Sequence, residues 1–193
     1  MGRRLPVEER RNELLRFGQQ LFAEHPADAF SMDEIARRAG VSKALLYHYF
    51  GGRRGFYVAT VEAIAERVRT AITPEPGLGF ASSFPRALDR FLSFVSENHA
   101  AYRALIRGGI GVDEEVAAIV EDIRQTAMRF VLSELGVPNP SPQVTIATYG
   151  WVCFAENAAL AWLEQEDPPS RTAILEVLVD AAVPVQRALE RER

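Results

Sequence analysis

Cysteine is nearly absent from this chain of 193 residues, which contains Cys153 alone. A single thiol excludes intramolecular disulfides and metal clusters built from several cysteines, and it favours a reducing, cytoplasmic location. Lysine is equally scarce, since Lys43 is the one lysine among 22 basic residues. His25, His48 and His99 lack the spacing of a metal-binding motif, and no phosphate-binding or nucleophile motif is present. The composition therefore predicts no metal site and no cofactor.

Long apolar runs are also missing. The most apolar stretch, residues 144–163, is interrupted by Glu156 and Asn157. It falls short of the ~18 consecutive apolar residues that suggest a membrane-spanning helix. The N-terminus has no apolar core of the kind found in secretory signals. The sequence therefore predicts a protein without a membrane segment.

The charge is unevenly distributed along the chain. Residues 1–54 contain ten Lys or Arg and seven Asp or Glu, whereas residues 55–193 contain twelve and nineteen. The first segment is net positive, although the whole chain has a formal charge of −4 at pH 7. A basic segment in an acidic protein favours contact with a polyanion.

Strand signals are missing as well, because no stretch alternates apolar and polar residues between tight turns. Proline and glycine instead separate stretches with helical spacing of apolar residues. The pattern predicts an all-α fold of about nine helices, with a kink at Pro184 in the last of them. The expected helices are residues 7–25, 31–39, 42–50, 53–73, 84–97, 100–107, 114–135, 142–165 and 170–191.

The second and third expected helices are short and closely spaced. Ser31 and Glu34 have the spacing of a capping box, and Gly40 is a typical residue after a helix end. Ser42 is suited to begin the next helix, which the two glycines after Phe50 end. Two short helices joined by a tight turn predict a helix-turn-helix.

The third helix has a polar face that is suited to reading DNA. Its outward positions are expected to be Ser42, Lys43, Ala44, Tyr47 and His48, while Leu46 and Phe50 point inward. An α-helix fits the major groove, where base edges carry a distinct pattern of donors and acceptors. Alternatively, Lys43 is a solvated surface residue, and His48 caps a helix or packs against its neighbours. Tyr49 and Phe50 are expected to belong to the core. Arg3 and Arg4 either form a minor-groove arm or a basic tail without a role.

About forty residues of this region carry a specific family motif. The matching segments are Leu21-Phe22-Ala23-Glu24, Ser31-x-x-x-Ile35-Ala36-x-x-Ala39-Gly40-Val41-Ser42 and Leu46-Tyr47-x-Tyr49-Phe50. On these residues the chain resembles the TetR family of bacterial transcriptional regulators, in its AcrR-like form. The resemblance implies a three-helix DNA-binding head, residues 1–52, followed by a larger antiparallel helical body for ligand binding and dimerisation, residues 53–193.

The resemblance also implies which positions contact double-stranded DNA. Ser31, Tyr47 and Arg53 correspond to phosphate contacts, and the remaining positions lie at or near base edges. These remaining positions are Ser42, Lys43, Ala44, Leu45 and His48. The chain departs from the family pattern at Pro26, Leu45 and Gly55. Leu45 favours contact with a thymine methyl group, and Gly55 is expected to weaken the start of the fourth helix by up to about 1 kcal/mol.

The body contains one helix, residues 142–165, that is apolar on every side and must therefore be covered on every side. TetR-like proteins dimerise through their last two helices, so we expect a homodimer on a palindromic operator. The family also implies an unknown small-molecule effector, here apolar or aromatic, although plain core packing explains the same residues. The candidate ligand-binding residues are Phe91, Phe94, Tyr102, Met128, Trp151, Phe154 and Asn157.

The leading hypothesis from the sequence is a ligand-responsive repressor that leaves its operator when the effector binds. An activator of the same fold is the main alternative. A small helical enzyme or carrier would need a pocket carboxylate such as Glu156 to titrate near neutrality. A third hypothesis is that the head has lost DNA binding and acts only through protein contacts.

Overall fold

The computed structural model describes residues 7–73, 80–108 and 113–191, and within these ranges it confirms an all-α fold with ten helices and no strand. Residues 3 and 4, the expected minor-groove arm, lie outside the described ranges. The helices are α1 (Val7–Glu24), α2 (Met32–Ala39), α3 (Lys43–Phe50), α4 (Arg53–Ile72), α5 (Phe80–Glu97), α6 (His99–Gly108), α7 (Glu114–Glu134), α8 (Pro142–Leu163), α9 (Arg171–Asp180) and α10 (Val183–Glu190).

The helices form two compact units. Unit 1 comprises Met1–Glu66 and Ala100–Val120, and unit 2 comprises Arg67–His99 and Glu121–Arg193. These units are defined by packing alone. The division into a DNA-binding head, residues 1–52, and a body, residues 53–193, is a functional one and stays a prediction.

Unit 1 is built around a core from α1 to α4. Ile35, Leu46 and Phe56 are fully buried, and the ring of Phe56 lies 5.6 Å from that of Phe22 and 4.9 Å from that of Phe50. Burial of these large side chains removes apolar surface from water, which is the main favourable term in folding. The core fixes α2 and α3 against α1 and α4.

The predicted caps of α2 and α3 are confirmed. The amide of Glu34 donates to Ser31 Oγ at 3.3 Å, and the Glu34 carboxylate accepts from the Ser31 amide at 2.8 Å. Gly40 has a φ of +67°, in the left-handed region that glycine tolerates best. Ser42 Oγ accepts from the amide of Leu45 at 3.2 Å and so begins α3.

Gly55 is a point of close backbone approach, which the sequence did not indicate. A Cβ atom at this position would lie 2.0 Å from the carbonyl oxygen of Phe50. The expectation that Gly55 merely weakens α4 is therefore wrong, because glycine is what lets α4 begin so close to the end of α3. Gly18 plays a similar part between α1 and α4, since its Cβ would lie 2.4 Å from Thr60 Oγ1.

Unit 2 packs α8 against α5, α9 and α10. Val144, Ala159 and Leu160 of α8 are almost fully buried. The indole N–H of Trp151 donates to the carbonyl oxygen of Leu178 at 2.9 Å, and that of Trp162 donates to Pro169 O at 2.7 Å. The two indoles thus tie α8 to α9 and to the loop between them.

Two helix boundaries differ from the sequence prediction. The last expected helix is divided at residues 181–182 into α9 and α10, and Pro184 lies in the first turn of α10 instead of kinking one helix. Proline is tolerated there because the first amides of a helix have no partner inside it. α5 begins one turn earlier than expected and contains Pro85. None of the helices in the described ranges is long and apolar enough to cross a bilayer.

Candidate nucleic-acid interface

The polar face of α3 is exposed. Leu46 and Phe50 are buried beneath it, and Leu45 is half-buried at its edge. This orientation follows from the helical period, because residues three and four positions apart share a face. We refer to the exposed residues as the α3 face. They are Ser42, Lys43, Ala44, Tyr47 and His48.

The two serine hydroxyls predicted to contact DNA already act as helix caps. Ser31 Oγ accepts from the Glu34 amide and also donates to the Glu34 carboxylate at 2.7 Å. The Glu34 carboxylate accepts hydrogen bonds from the backbone amide and from the hydroxyl of Ser31. The bond from the amide, followed by that from the hydroxyl, lowers the pKa of Glu34. Ser31 and Ser42 are both exposed. As N-caps they lie at the N-termini of α2 and α3, where the helix dipole favours a phosphate.

Lys43 is held at the N-terminus of α3 by a residue of α2. Its Nζ lies 2.9 Å from Asp33 Oδ2 and 5.9 Å from the centre of the Tyr47 ring. The hydrogen bond that Lys43 donates to the Asp33 carboxylate raises the pKa of Lys43. This contact adds Asp33 to the candidate interface, and no local sequence signal indicated it.

The two tyrosines of α3 have different environments. Tyr47 is 46% exposed, as a contact with a backbone phosphate requires. Tyr49 is half-buried against the core of unit 1, and its hydroxyl donates to Val7 O at 3.3 Å. The interpretation of Tyr49 and Phe50 as core residues is therefore confirmed. His48 is exposed, with its ring 5.4 Å from that of Tyr49.

The start of α4 is anchored through two arginines. Arg53 is exposed and donates from Nη1 to Asp28 O at 3.1 Å. Arg54 makes a bidentate contact with Asp113, at 3.0 and 3.1 Å, and Asp113 also caps α7 by accepting from the amides of Glu115 and Val116. The hydrogen bond from Arg54 lowers the pKa of Asp113. These contacts hold both arginines at the start of α4.

Comparison with known proteins agrees with this geometry. The model described as "Bacterial regulatory proteins, tetR family" matches residues 14–54, and "Tetracyclin repressor-like, C-terminal domain" matches residues 82–184, more than half of the chain. The chain belongs to the TetR family. It is a transcriptional regulator with an N-terminal helix-turn-helix.

Relatives and solved structures of the TetR family extend the similarity over nearly the whole chain. The HTH-type transcriptional activator FasR of Mycolicibacterium smegmatis is 27% identical over 187 residues, covering 94% of this chain and 84% of the relative. A TetR-family regulator from Streptomyces coelicolor has a TM-score of 0.82 at 29% identity, covering 97% of this chain and 85% of that one. A TetR-like regulator from Rhodococcus sp. RHA1 has a TM-score of 0.76 at 25% identity, covering 93% and 96%.

The C-terminal part of this TetR-family chain contains an apolar cavity. The cavity has a volume of about 330 Å³, within the range of small-molecule sites. Eight apolar residues line it, and Gln186 is a polar group at its wall. The apolar lining consists of Phe84, Pro85, Val131, Leu135, Trp151, Val179, Ala182 and Val185.

The residues predicted to bind a ligand are dispersed. Trp151 lines the cavity, whereas Phe154 is 43% exposed and Asn157 is exposed on α8. Met128 is half-buried on α7, and three further aromatic residues are buried on α5 and α6. These three are Phe91, Phe94 and Tyr102. Ligand binding by any of the seven stays a prediction.

Glu156, the carboxylate that the enzyme hypothesis invoked, already has a charged partner. It is 5% exposed. Arg124 of α7 donates to both of its carboxylate oxygens, from Nε to Oε2 at 3.1 Å and from Nη2 to Oε1 at 2.6 Å. Next to this pair, Tyr149 donates to Glu121 at 2.7 Å, a hydrogen bond that raises the pKa of Tyr149 to about 12. The cluster joins α7 to α8, with Glu156 paired to Arg124.

Proposed function

We propose that this TetR-family regulator binds a palindromic operator as a homodimer and leaves it when a small apolar or aromatic effector binds the C-terminal body. The observation that supports DNA binding most directly is the α3 face, which is exposed while Leu46 and Phe50 of the same helix are buried. We infer that Ser31, Tyr47 and Arg53 contact phosphates. The assigned positions at or near base edges are Ser42, Lys43, Ala44, Leu45 and His48. A DNA-binding protein of this kind acts in the cytoplasm.

The DNA contact is tested by replacing Lys43 with alanine. Loss of one ammonium at a phosphate or base edge is expected to weaken binding and to reduce the slope of log affinity against log salt by about one. The measurement is fluorescence anisotropy with DNA from upstream of the protein's own gene, at several salt concentrations. Arg129→Ala on α7 removes the same charge from an exposed position outside the proposed DNA-contacting and dimer surfaces. Equal slopes for the two variants would refute the assignment of Lys43.

Dimerisation is supported by apolar side chains that a single copy leaves exposed. Ile146 of α8 is 72% exposed, and Phe154 on the same helix is 43% exposed. They are eight positions apart, which places them on one face of α8. Val177 of α9 and Val183 of α10 are also exposed. A second copy of the chain would cover these residues, and a two-fold dimer would present two α3 faces to the half-sites of a palindrome.

A charged residue in this apolar surface is expected to separate the dimer. Ile146→Glu would bury a carboxylate without a partner in the interface, at a cost of several kcal/mol, so sedimentation should show a monomer with reduced operator affinity. Val7→Glu is the matched control for sedimentation, because Val7 is 63% exposed on α1 and lies outside the proposed interface. A dimeric Ile146→Glu protein would overturn the proposed interface.

The apolar cavity in unit 2 supports the effector part of the proposal. Its aromatic wall includes Phe84 and Trp151, whose rings lie 5.2 Å apart. The effector binds better to a dimer whose heads are wrongly spaced for DNA, so effector and operator compete through one equilibrium. We propose no catalytic activity, since Glu156 is committed to Arg124.

An activator is the second candidate, and the name of one relative favours it. FasR of Mycolicibacterium smegmatis, which matches 94% of this chain, is called a transcriptional activator. Transcription in vitro from the bound promoter separates the two functions. A repressor lowers transcript yield when it is added, whereas an activator raises it.

A further inference from the structure

The polar edge where α2 meets α3 contains a negative charge that a DNA-binding surface does not need. Asp33 lies in the first turn of α2 and Lys43 is the first residue of α3. Their side chains are 67% and 51% exposed, with Nζ and Oδ2 at 2.9 Å. A positive charge at a helix N-terminus is unfavourable, so a carboxylate beside Lys43 offsets the dipole of α3.

We propose that Asp33 is a specificity-determining residue that positions Lys43 for a base edge and suppresses its attraction to phosphate on unrelated DNA. This inference rests on the proposed contact between Lys43 and the operator. An ammonium group has three N–H donors. With one donor bound to Asp33, two remain for acceptors in the major groove, such as O6 and N7 of guanine.

The two effects of Asp33 act on different complexes. On unrelated DNA, affinity comes from phosphate neutralisation, and a Lys43–Asp33 pair contributes no net charge. On the operator, the hydrogen bond that Lys43 donates to Asp33 holds the long, flexible lysine side chain in one direction. Removal of the carboxylate therefore strengthens binding to unrelated DNA and removes the orientation that favours the operator.

The test compares two duplexes, one enriched from a random library by the wild-type protein and one of the same composition in scrambled order. Asp33→Ala is expected to lower the ratio of the two affinities about fivefold, the scale of one exposed ion pair. Asp33→Asn keeps a hydrogen-bond acceptor without the charge, so it should preserve more of the operator affinity. Glu9→Gln, at an exposed position of α1, is the charge-matched control.

The outcomes separate this inference from the proposed function. In a Lys43→Ala background, Asp33→Ala should leave the ratio unchanged, since no ammonium remains to be positioned. The inference is overturned if Asp33→Ala changes both affinities by the same factor, as Glu9→Gln is expected to do. A wild-type protein that enriches no sequence overturns the proposed function and this inference together. Unfolding midpoints close to that of the wild type establish that each variant is folded.

Discussion

Replacing Arg124 with alanine is expected to lower the free energy of unfolding by about 3–5 kcal/mol, the cost of leaving a buried charge without its partner. Glu156 is 5% exposed and receives two hydrogen bonds from Arg124, so the alanine variant strands its carboxylate inside unit 2. For a chain of this length the midpoint of thermal unfolding should fall by about 10 °C. Circular dichroism during heating measures both quantities.

Two further variants identify the cause. Arg129→Ala on the same helix removes an exposed arginine that donates to the hydroxyl of Thr126, and it should change stability by less than about 0.5 kcal/mol. The double variant Arg124→Met with Glu156→Leu replaces the ion pair with apolar side chains and should recover most of the loss. If Arg124→Ala is no less stable than Arg129→Ala, the pair does not join α7 to α8 as described.

The second large effect is expected at Gly55. Alanine has the higher helix propensity by about 1 kcal/mol, so propensity alone predicts that Gly55→Ala stabilises α4. The structure predicts the opposite sign, because the added Cβ would lie 2.0 Å from Phe50 O. Overpacking of this kind costs about 1–3 kcal/mol.

The same substitution should impair DNA binding. The end of α3 and the start of α4 must separate to admit the methyl group, which displaces Arg53 from its contact with Asp28 O. We expect at least about a tenfold loss of operator affinity, since a misplaced contact costs about 1–2 kcal/mol. Chemical denaturation and anisotropy together provide the test. A variant that is more stable than the wild type and binds DNA normally would show that the close approach is not required.

The head could be predicted from the sequence because its signals are local. The capping box of Ser31 and Glu34 spans four residues, and the cap at Ser42 is followed directly by the period of α3. Each feature is fixed by neighbouring residues, so reading along the chain was sufficient. The family motif adds the expected DNA contacts, which the local pattern alone does not assign.

Contacts between distant segments could not be predicted in this way. Arg124 and Glu156 are 32 residues apart, and Arg54 and Asp113 are 59 apart. Each is an ordinary charged residue on a helix or at the end of one until packing brings it to its partner. Gly55 shows the same limit, because helix propensity takes no account of a carbonyl group that approaches from the preceding helix.

The central claim is that two copies of the chain read a two-fold symmetric DNA site through the α3 face. Selection from a random DNA library by the purified protein, followed by sequencing, tests this claim most directly. The account predicts enrichment of an inverted repeat whose half-sites lie about one helical turn or a multiple of it apart, and loss of that enrichment with Lys43→Ala. No enriched sequence after repeated rounds, or a single site without symmetry, would contradict it.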